Sequence, residues 1–285
     1  MNIPPNRLIG ALLVAAVSIA PAARASAQPA GATARPRMIE VSSVAPEKNS
    51  LLSSLVDEIR KQADAFVFLS GGASKMSEAD QRQLMAMFDA LSMIAKGGRR
   101  IAVGDGGTQA GIMQAAGTAR RTSGNAFPLI GIAPAREIPP RGKTPIDPNH
   151  SHIVAVDNPS APAQDAWGSE TATMYWLFGK FAEGRPSVTI VANGGGITLN
   201  EVDANIRAGR RMILIEGSGR AADALISLLR KTQPTDPEVV NLRARAAQAN
   251  LARRPELFRI VSREGGAPAL RDAIVASLAT ATQKP

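Results

Sequence analysis

The sequence predicts an α/β protein built on a doubly wound, mainly parallel sheet. Short apolar runs alternate with helix-like runs along most of the chain, which is the order expected of βαβ units. The apolar runs are continuous rather than alternating, as in "AFVFLSGG" (Ala65–Gly72) and "SVTIVAN" (Ser187–Asn193). Continuous apolar runs are typical of strands that helices cover on both faces.

The predicted elements follow one another from Ala65 towards the end of the chain. The helix-like runs carry apolar residues at spacings of three and four, and several end at a glycine. The segment Ala133–His152 lacks any such pattern, and long loops in compact domains usually serve a function. The predicted strands are Ala65–Gly72, Arg99–Gly107 with its loop, Phe127–Pro134, His152–Asp157, Ser187–Asn193, Arg211–Gly217 and Arg259–Ser262. The predicted helices are Ser77–Gly98, Thr108–Arg120, Ser169–Gly184, Leu199–Gly209, Arg220–Lys231, the first half of Asp236–Phe258, and Pro268–Thr282.

Residues 1–27 have the features of a secretory signal peptide. Arg7 supplies the positive charge, Leu8–Ala20 forms a short apolar core, and Ala25–Ala27 offers a small-residue cleavage site. A membrane-spanning helix needs about 18 or more apolar residues, so an uncleaved anchor is the less favoured alternative. We expect cleavage before Gln28, export to the periplasm or the extracellular space, and no membrane span afterwards.

The rest of the chain is expected to consist of a leader and one domain. Residues 28–37 are rich in proline, glycine and alanine, which predicts a disordered leader. Residues 38–285 are predicted to form a single ligand-binding domain with a helical C-terminal part. The chain has no cysteine, which excludes disulfides and thiolate metal sites.

The formal net charge of +9 favours anionic partners in general. The arginines are scattered, and aromatic residues make up only 4% of the chain. Nucleic-acid binding needs clustered charge and stacking side chains, so we do not expect a nucleic-acid partner. A solvated basic surface accounts for the charge more simply.

Four glycine-rich turns each follow a predicted strand: "SGGAS", "GDGGTQAG", "NGGGIT" and "EGSGRA". In a parallel sheet all four lie at the carboxyl edge, where such folds bind ligands. Each turn leads into a helix N-terminus, which favours an anion, and glycine lets a ligand approach the backbone closely. Tight packing alone is the alternative explanation. We predict a phosphorylated ligand, bound by Gly71, Gly72, Gly106, Gly107, Thr108, Gly194, Gly195, Gly196, Thr198, Gly217, Ser218, Gly219 and Arg220.

The two histidines of the chain form an H-x-H pattern at His150 and His152. Alternate residues of a strand share a face, so the pair could ligate a metal with Asp147 or Asp157. Two histidines without a clear third ligand are weak support for metal. We therefore predict that they orient the long loop or contact the ligand, and we predict no metal site.

The predicted helix that begins near Glu170 brings further candidates. The Glu170 carboxylate could accept a hydrogen bond from a ribose hydroxyl, or it could simply favour the helix N-terminus. Trp167, Tyr175 and Trp176 could stack on a base. Their spacing on a helix makes Tyr175 and Trp176 better candidates for the core.

The ordered motifs "GDGGTQAGIMQAAG", "LIGIAP", "DPNHSHIVAVDN", "WGSETATMYWL", "ANGGGITLNEV" and "IEGSGRAADAL" resemble the SLOG-type ligand-sensor domain of bacterial proteins and of melastatin-type TRP channels. The resemblance covers roughly Ala65 to Leu228. It implies a Rossmann-like fold and, from the channel members, an ADP-ribose-type nucleotide as the ligand, with no further cofactor.

A more distant resemblance is to the "Lonely guy" phosphoribohydrolases, whose hallmark is P-G-G-x-G-T-x-x-E. The matching stretch here is Asn193–Glu201, in which Asn193 replaces the proline and Ile197 replaces the last glycine. Those enzymes also carry an arginine on the preceding helix, where this chain has only Lys180. Glu201 therefore lacks its usual cationic partner.

The favoured function is an exported, non-catalytic binding or sensor domain for a nucleotide or nucleotide-sugar. The alternative is a hydrolase that cleaves the N-glycosidic or phosphate bond of such a ligand with Glu201. Thr198 and Glu201 have the spacing of a capping box, which predicts a structural role for both. A third possibility, an interaction protein, rests on the segment after Lys231. The sequence leaves the oligomeric state open.

Overall fold

The computed structural model describes residues 35–72, 74–162 and 166–279. The predicted signal peptide and most of the predicted leader lie outside these residues. The strands are β1 Arg37–Ser42, β2 Ala65–Gly71, β3 Ile101–Asp105, β4 Leu129–Pro134, β5 His152–Asp157, β6 Ser187–Ala192, β7 Arg211–Glu216 and β8 Phe258–Ser262. The helices are α1 Ser50–Gln62, α2 Glu78–Met87, α3 Asp89–Lys96, α4 Gly111–Thr122, α5 Thr171–Ala182, α6 Gly196–Arg207, α7 Arg220–Arg230, α8 Pro237–Gln248 and α9 Gly266–Ala279.

The strands form one sheet in the order β1-β5-β4-β3-β2-β6-β7-β8. Every neighbouring pair is parallel, so the predicted doubly wound parallel fold is confirmed. The chain runs from β2 outwards through β3, β4 and β5, and then returns to place β6 on the other side of β2. The loops after β3 and β6 therefore diverge at β2, which opens a crevice at the carboxyl edge of the sheet.

Helices cover both faces of this sheet. On β2, Phe66 and Phe68 face one side, whereas Val67 and Leu69 face the other, and all four are buried. The first side packs against α1 and α5 around β2, and against α6, α7 and α8 around β7. The second side packs against α2, α3, α4 and α9. Burial on both faces explains why these strands read as continuous apolar runs.

Aromatic packing fixes α5 against the centre of the sheet. The rings of Phe68 and Phe178 stack with centroids 4.0 Å apart. A Cβ at Gly104 of β3 would lie 2.5 Å from the Phe178 ring, so only glycine fits there. Tyr175 and Trp176 pack against the same core cluster, in line with the role predicted for them. This packing holds the first residues of α5 beside the crevice.

Two elements near the start of the described chain were not predicted. β1 begins at Arg37, the last residue of the predicted leader. It is an edge strand whose exposure alternates, so it lacks the continuous apolar run of the central strands. α1 does carry a helical signal in Leu52, Leu55 and Ile59, which are all buried, and Asn49 caps its first turn.

The other differences are smaller. The run Ser77–Gly98, predicted as one helix, is two helices that meet at Phe88, and Gly97 ends the second. The helix after β3 begins at Gly111 rather than at Thr108. Among the described residues, no helix is long and apolar enough to cross a membrane.

Candidate functional site

A cavity of about 380 Å³ lies in the crevice above the carboxyl end of β2. The turns after β2, β3 and β6 line it, together with the starts of α5 and α7. Twelve of the candidate site residues named from the sequence meet here: Gly71, Gly72, Gly106, Thr108, Trp167, Glu170, Gly194, Gly195, Gly196, Thr198, Glu201 and Arg220.

A larger groove of about 510 Å³ lies beside β1 and is lined mainly by proline and other apolar side chains. Two of its charged side chains, Glu40 and Arg141, pair with each other. None of the glycine turns borders this groove. The smaller cavity is therefore the better candidate for the functional site.

Asn193 ties together three of the turns around the cavity. Its side-chain amide donates to the Ser218 carbonyl at 2.7 Å and to the Ser74 carbonyl at 3.0 Å. Its Oδ1 accepts from the Gly194 N–H at 2.8 Å, and its own N–H donates to the Ser218 hydroxyl at 2.8 Å. Asn193 has a φ of 55°, which asparagine tolerates better than most residues. The asparagine that replaces the hallmark proline thus fixes the turns after β2, β6 and β7.

The first turn of α6 presents unsatisfied backbone donors to the cavity. The Thr198 hydroxyl accepts from the Gly195 N–H at 3.2 Å. Within the described part of the chain, the N–H groups of Gly196 and Ile197 make no hydrogen bond, as expected at a helix start. A Cβ at Gly195 would lie 3.0 Å from Nη2 of Arg220. The guanidinium therefore lies directly beside the positive end of α6, where an anion is favoured.

Arg220, the first residue of α7, places a cation on the wall of the cavity. In the phosphoribohydrolases that the chain distantly resembles, the corresponding arginine lies on the helix before the hallmark motif. Arg220 Nε lies 2.9 Å from Glu238 Oε1, and Nη1 donates to the Ser74 hydroxyl at 2.8 Å. Lys75 also pairs with Glu238, at 3.1 Å. Arg220 has a φ of 51°, which is uncommon for a residue other than glycine. α8, in the C-terminal part, thus helps to hold the cation of the cavity.

Two glycines of the cavity have no structural need to be glycine. Neither Gly72 nor Gly106 has a positive φ. A Cβ at Gly72 would meet no described atom within 4 Å, and one at Gly106 would meet only Met113 Cγ at 3.9 Å. Gly71, by contrast, has a φ of 121°, and its Cβ would lie 1.9 Å from the Ala192 carbonyl oxygen. At Gly72 and Gly106 the space beside the backbone is therefore open, and both residues line the cavity.

Glu201 faces the cavity instead of capping its helix. α6 begins at Gly196, so Glu201 lies in the second turn of the helix, and its carboxyl accepts a short hydrogen bond from the Ser70 hydroxyl. The predicted capping box is therefore wrong: Thr198 makes the capping contact, and Glu201 does not. Burial raises the pKa of Glu201 to about 7; the Ser70 hydrogen bond lowers it in part, and the Glu170 charge raises it further.

Glu170 is the second carboxyl of the cavity. It is 5% exposed, and within the described chain its Oε2 has no hydrogen-bond partner. Burial raises its pKa to about 7, although hydrogen bonds from the backbone of Glu170 and Gly168 oppose the shift. Two buried carboxyls thus share the end of the cavity that lies between α5 and α6.

A buried polar network extends from Glu201 towards the interior. The Asn205 side-chain amide donates to the Glu201 carbonyl at 2.9 Å and to the Tyr175 hydroxyl at 3.0 Å. Arg210 donates to Asn205 Oδ1 at 2.8 Å and lies 4.7 Å from the centre of the Phe68 ring. Burial lowers the pKa of Arg210 to about 10. Sequence reasoning missed this network, although Asn205 follows Glu201 at helical spacing.

His150 lies beneath the site and does not line the cavity. Its Nε2 is 2.8 Å from Asp105 Oδ1, and its Nδ1 is 3.4 Å from Asp147 Oδ1. Burial lowers the pKa of His150, but Asp105 and Asp147 outweigh that effect and raise it to about 9. Asp105 Oδ1 also accepts from the Gly107 N–H at 2.7 Å. His150 therefore connects the long loop to the turn after β3, which is one of the two roles predicted for it.

His152 lies at the opposite edge of the sheet, because it is the first residue of β5. Its Nε2 is 3.1 Å from Glu58 Oε1, and burial lowers its pKa. The described residues contain no group of three or more His, Cys, Asp or Glu side chains able to hold a metal ion. The two histidines thus have separate partners and do not form a shared site.

In the turn after β7, a carboxylate of the protein itself accepts hydrogen bonds from the free backbone N–H groups. The N–H groups of Gly217 and Gly219 donate to the Asp223 carboxylate at 2.9 and 3.0 Å. Gly217, Ser218 and Gly219 do not line the cavity, so this turn supports the site and does not open onto it. Gly107 is absent from the lining as well, because its Cβ side lies against Gly131 of β4.

The fold and the cavity of this protein define it as a Rossmann-like protein with a glycine-lined crevice that suits an anionic ligand. The chain matches the family described as "SLOG in TRPM, prokaryote" over residues 64–265, which is well over half of its length. The chain therefore belongs to this family, and membership supports a ligand-binding or nucleotide-related role. The matched range passes Lys231 and includes β8, so it extends beyond the stretch that carried the resemblance. None of the curated proteins matches the chain.

The buried carboxyls predict an unusual dependence of stability on pH. Folding raises the pKa of Glu170 from the ordinary 4.5 to about 7, so the folded state holds this proton more tightly than the unfolded state does. The contribution of Glu170 to the free energy of unfolding is therefore constant below about pH 4.5 and falls as the pH rises towards 7. We expect Glu170→Gln to stabilise the protein by about 1–3 kcal/mol at pH 8 and to change little at pH 4.5.

Urea unfolding of both proteins at the two pH values measures this effect. Glu183→Gln, at the exposed end of α5, is the matched control and should differ little from the wild type at either pH. A Glu170→Gln protein that is equally or less stable at pH 8 would show that burial does not hold the proton on Glu170.

Proposed function

We propose that this chain is an exported module that binds a nucleotide or nucleotide-sugar of the ADP-ribose type without transforming it. The nucleotide is the ligand, and the proposal includes no other cofactor and no nucleic-acid partner. The observation that carries it is the glycine-lined cavity itself, where Gly72 and Gly106 border open space and the start of α6 lies beside Arg220.

The phosphate is proposed to bind at the start of α6. Gly196 and Ile197 offer free N–H groups there, and Arg220 lies beside them. A helix N-terminus with a neighbouring guanidinium gives both a positive field and directed donors for phosphate oxygens. Gly106 borders the same space from the opposite side, so a ligand phosphate could contact the backbone of two turns at once.

The rest of the cavity wall suits an organic ring. Trp167, Met113 and Met174 line it, and Ile197 is 40% exposed at its rim. Ligand pockets commonly combine such apolar walls with a few polar groups that fix orientation. A nucleotide has this division into an anionic part and a flat apolar part.

Gly106→Ala tests the glycine argument most simply. The added methyl group meets only Met113 at an ordinary contact distance, so we expect a change in stability within about 0.5 kcal/mol. The methyl group also occupies ligand space, so calorimetry should show ADP-ribose or AMP affinity falling about tenfold or more, equivalent to about 1.4 kcal/mol.

Gly179→Ala is the matched control for this experiment. Gly179 lies on the exposed side of α5 and has equally free space around its Cβ position. Alanine is the better helix former by about 0.5–1 kcal/mol, so this variant should be slightly more stable and bind the nucleotide normally. Normal affinity in Gly106→Ala would remove the main support for the proposal.

A second candidate function is hydrolysis of the N-glycosidic or phosphate bond of such a ligand. It is favoured by Glu201, whose pKa of about 7 suits a general acid or base at neutral pH. The structural role that the sequence suggested for Glu201 has been excluded, and Arg220 places a cation in the same cavity. The geometry of Glu201 thus fits proton transfer as well as simple binding.

Incubation with ADP-ribose, NAD or AMP, followed by chromatography, separates the two candidates. A binding module leaves each compound intact, and Glu201→Gln retains most of the wild-type affinity. A hydrolase releases free base or ribose phosphate, and Glu201→Gln slows that release by about a hundredfold or more. The second result would replace the binding proposal with the catalytic one.

Export is proposed on the signal-like sequence of residues 1–27, which lie outside the described structure. The mature chain is then expected to begin near Gln28 and to be found in the envelope or the medium. Mass spectrometry of the protein from its native host tests this. An intact Met1 terminus in a membrane fraction would contradict it.

A further inference from the structure

The two ends of the cavity differ in charge. At one end, Arg220 lies beside the positive start of α6. At the other end are the carboxyls of Glu170 and Glu201, which are 5% and 8% exposed. Among the described residues, neither carboxyl forms an ion pair with a basic side chain. A ligand that fits both ends must be anionic at one end and must donate hydrogen bonds at the other.

Glu170 has the clearest unfilled requirement of the two. Its Oε2 is buried and has no partner within the described chain, and a buried acceptor without a partner destabilises the folded protein. The side chain lines the cavity. The backbone holds it there: Gly168 has a φ of 89°, and the Asn158 amide donates to the Ser169 carbonyl at 3.0 Å. The Glu170 side chain therefore borders the cavity before any ligand arrives.

Glu201 offers a second acceptor from the facing helix. One of its oxygens accepts from Ser70, which leaves acceptor capacity on the rest of the carboxyl group. Glu170 and Glu201 line the same cavity from two different helices. Two carboxyl groups on the wall of one cavity complement a ligand that carries two hydrogen-bond donors.

We propose that Glu170 and Glu201 together form a subsite for the vicinal diol of a ribose, and that Glu170 is the specificity-determining residue for this sugar. This inference rests on the proposed function, because the phosphate at the α6 end sets the position of the sugar. Each hydroxyl of the diol donates to one carboxyl group.

The subsite has a consequence for ligand choice. A site built to accept from hydroxyls rejects an analogue that lacks them, because its buried acceptors then remain unpaired. A ligand with a phosphate on the diol is rejected for a second reason, since like charges in a buried site repel. The pocket should therefore take ribosyl phosphates with a free diol and exclude both deoxy and 2′-phosphorylated relatives.

Calorimetry with AMP and 2′,3′-dideoxy-AMP tests the inference on the wild type, Glu170→Gln and Glu183→Gln. In the wild type, AMP should bind about tenfold or more tightly than the dideoxy compound, which is the scale of one lost hydrogen bond to a charged group. Glu170→Gln should reduce this preference severalfold while binding dideoxy-AMP at least as well as the wild type does. Glu183→Gln should keep the wild-type preference.

The outcomes separate this inference from the proposed function. Equal binding of AMP and dideoxy-AMP by the wild type would overturn the diol subsite while leaving the phosphate site intact. A preference that survives in Glu170→Gln would remove Glu170 as its cause. Failure of the wild type to bind either compound would contradict the proposed function for these ligands and, with it, the inference.

Discussion

The position of β2 is the constraint on which the site depends. β2 is the strand at which the chain changes direction across the sheet, with β3 on one side and β6 on the other. Because every strand is parallel, the turns after all three strands emerge at the same edge and then diverge. Glycines in those turns let the backbone itself form the walls of the cavity. Stacking of Phe68 on Phe178 then holds α5 and its carboxyl against the open side.

The cavity is lined by polar groups whose burial is unfavourable in the folded protein. Two carboxyls on its wall are buried, with pKa values raised to about 7, and the first N–H groups of α6 have no partner among the described residues. Such features cost stability, and proteins retain them mainly at sites that bind or react. The network around Asn193 and the contact of Arg220 with Glu238 offset part of this cost and keep the turns in place. Through Glu238 of α8, the C-terminal part thereby contacts a residue that lines the cavity.

The sequence was a good guide to the fold because its signals were local. Continuous apolar runs predicted the central strands, and the glycines after them pointed to the carboxyl edge of the sheet, where the cavity lies. The edge strand β1 was not predicted, because it is buried only at alternate residues and so lacks a continuous apolar run. The signal of α1 in Leu52, Leu55 and Ile59 was present in the sequence and could have been used.

The sequence was a poorer guide to the site because side-chain roles depend on helix starts and on distant partners. The beginning of α6 at Gly196 moved Glu201 from a capping position into the cavity. The cation came from Arg220, after β7, and not from the preceding helix. The glycine-rich turn after β7 was predicted to bind phosphate as well, but its N–H groups donate to Asp223. The position of His152 could have been predicted, however. As the first residue of its predicted strand it lies at the amino edge of the sheet, away from the cavity at the carboxyl edge.

We propose above that the backbone at the start of α6 binds a ligand phosphate. A crystal structure of the protein with AMP or ADP-ribose tests it most directly. We expect a phosphate oxygen about 2.7–3.2 Å from the N–H nitrogens of Gly196 or Ile197, with the Arg220 guanidinium in contact and Gly106 facing the same group. A nucleotide bound in the groove beside β1, or with its phosphate among the carboxyls of Glu170 and Glu201, would contradict it.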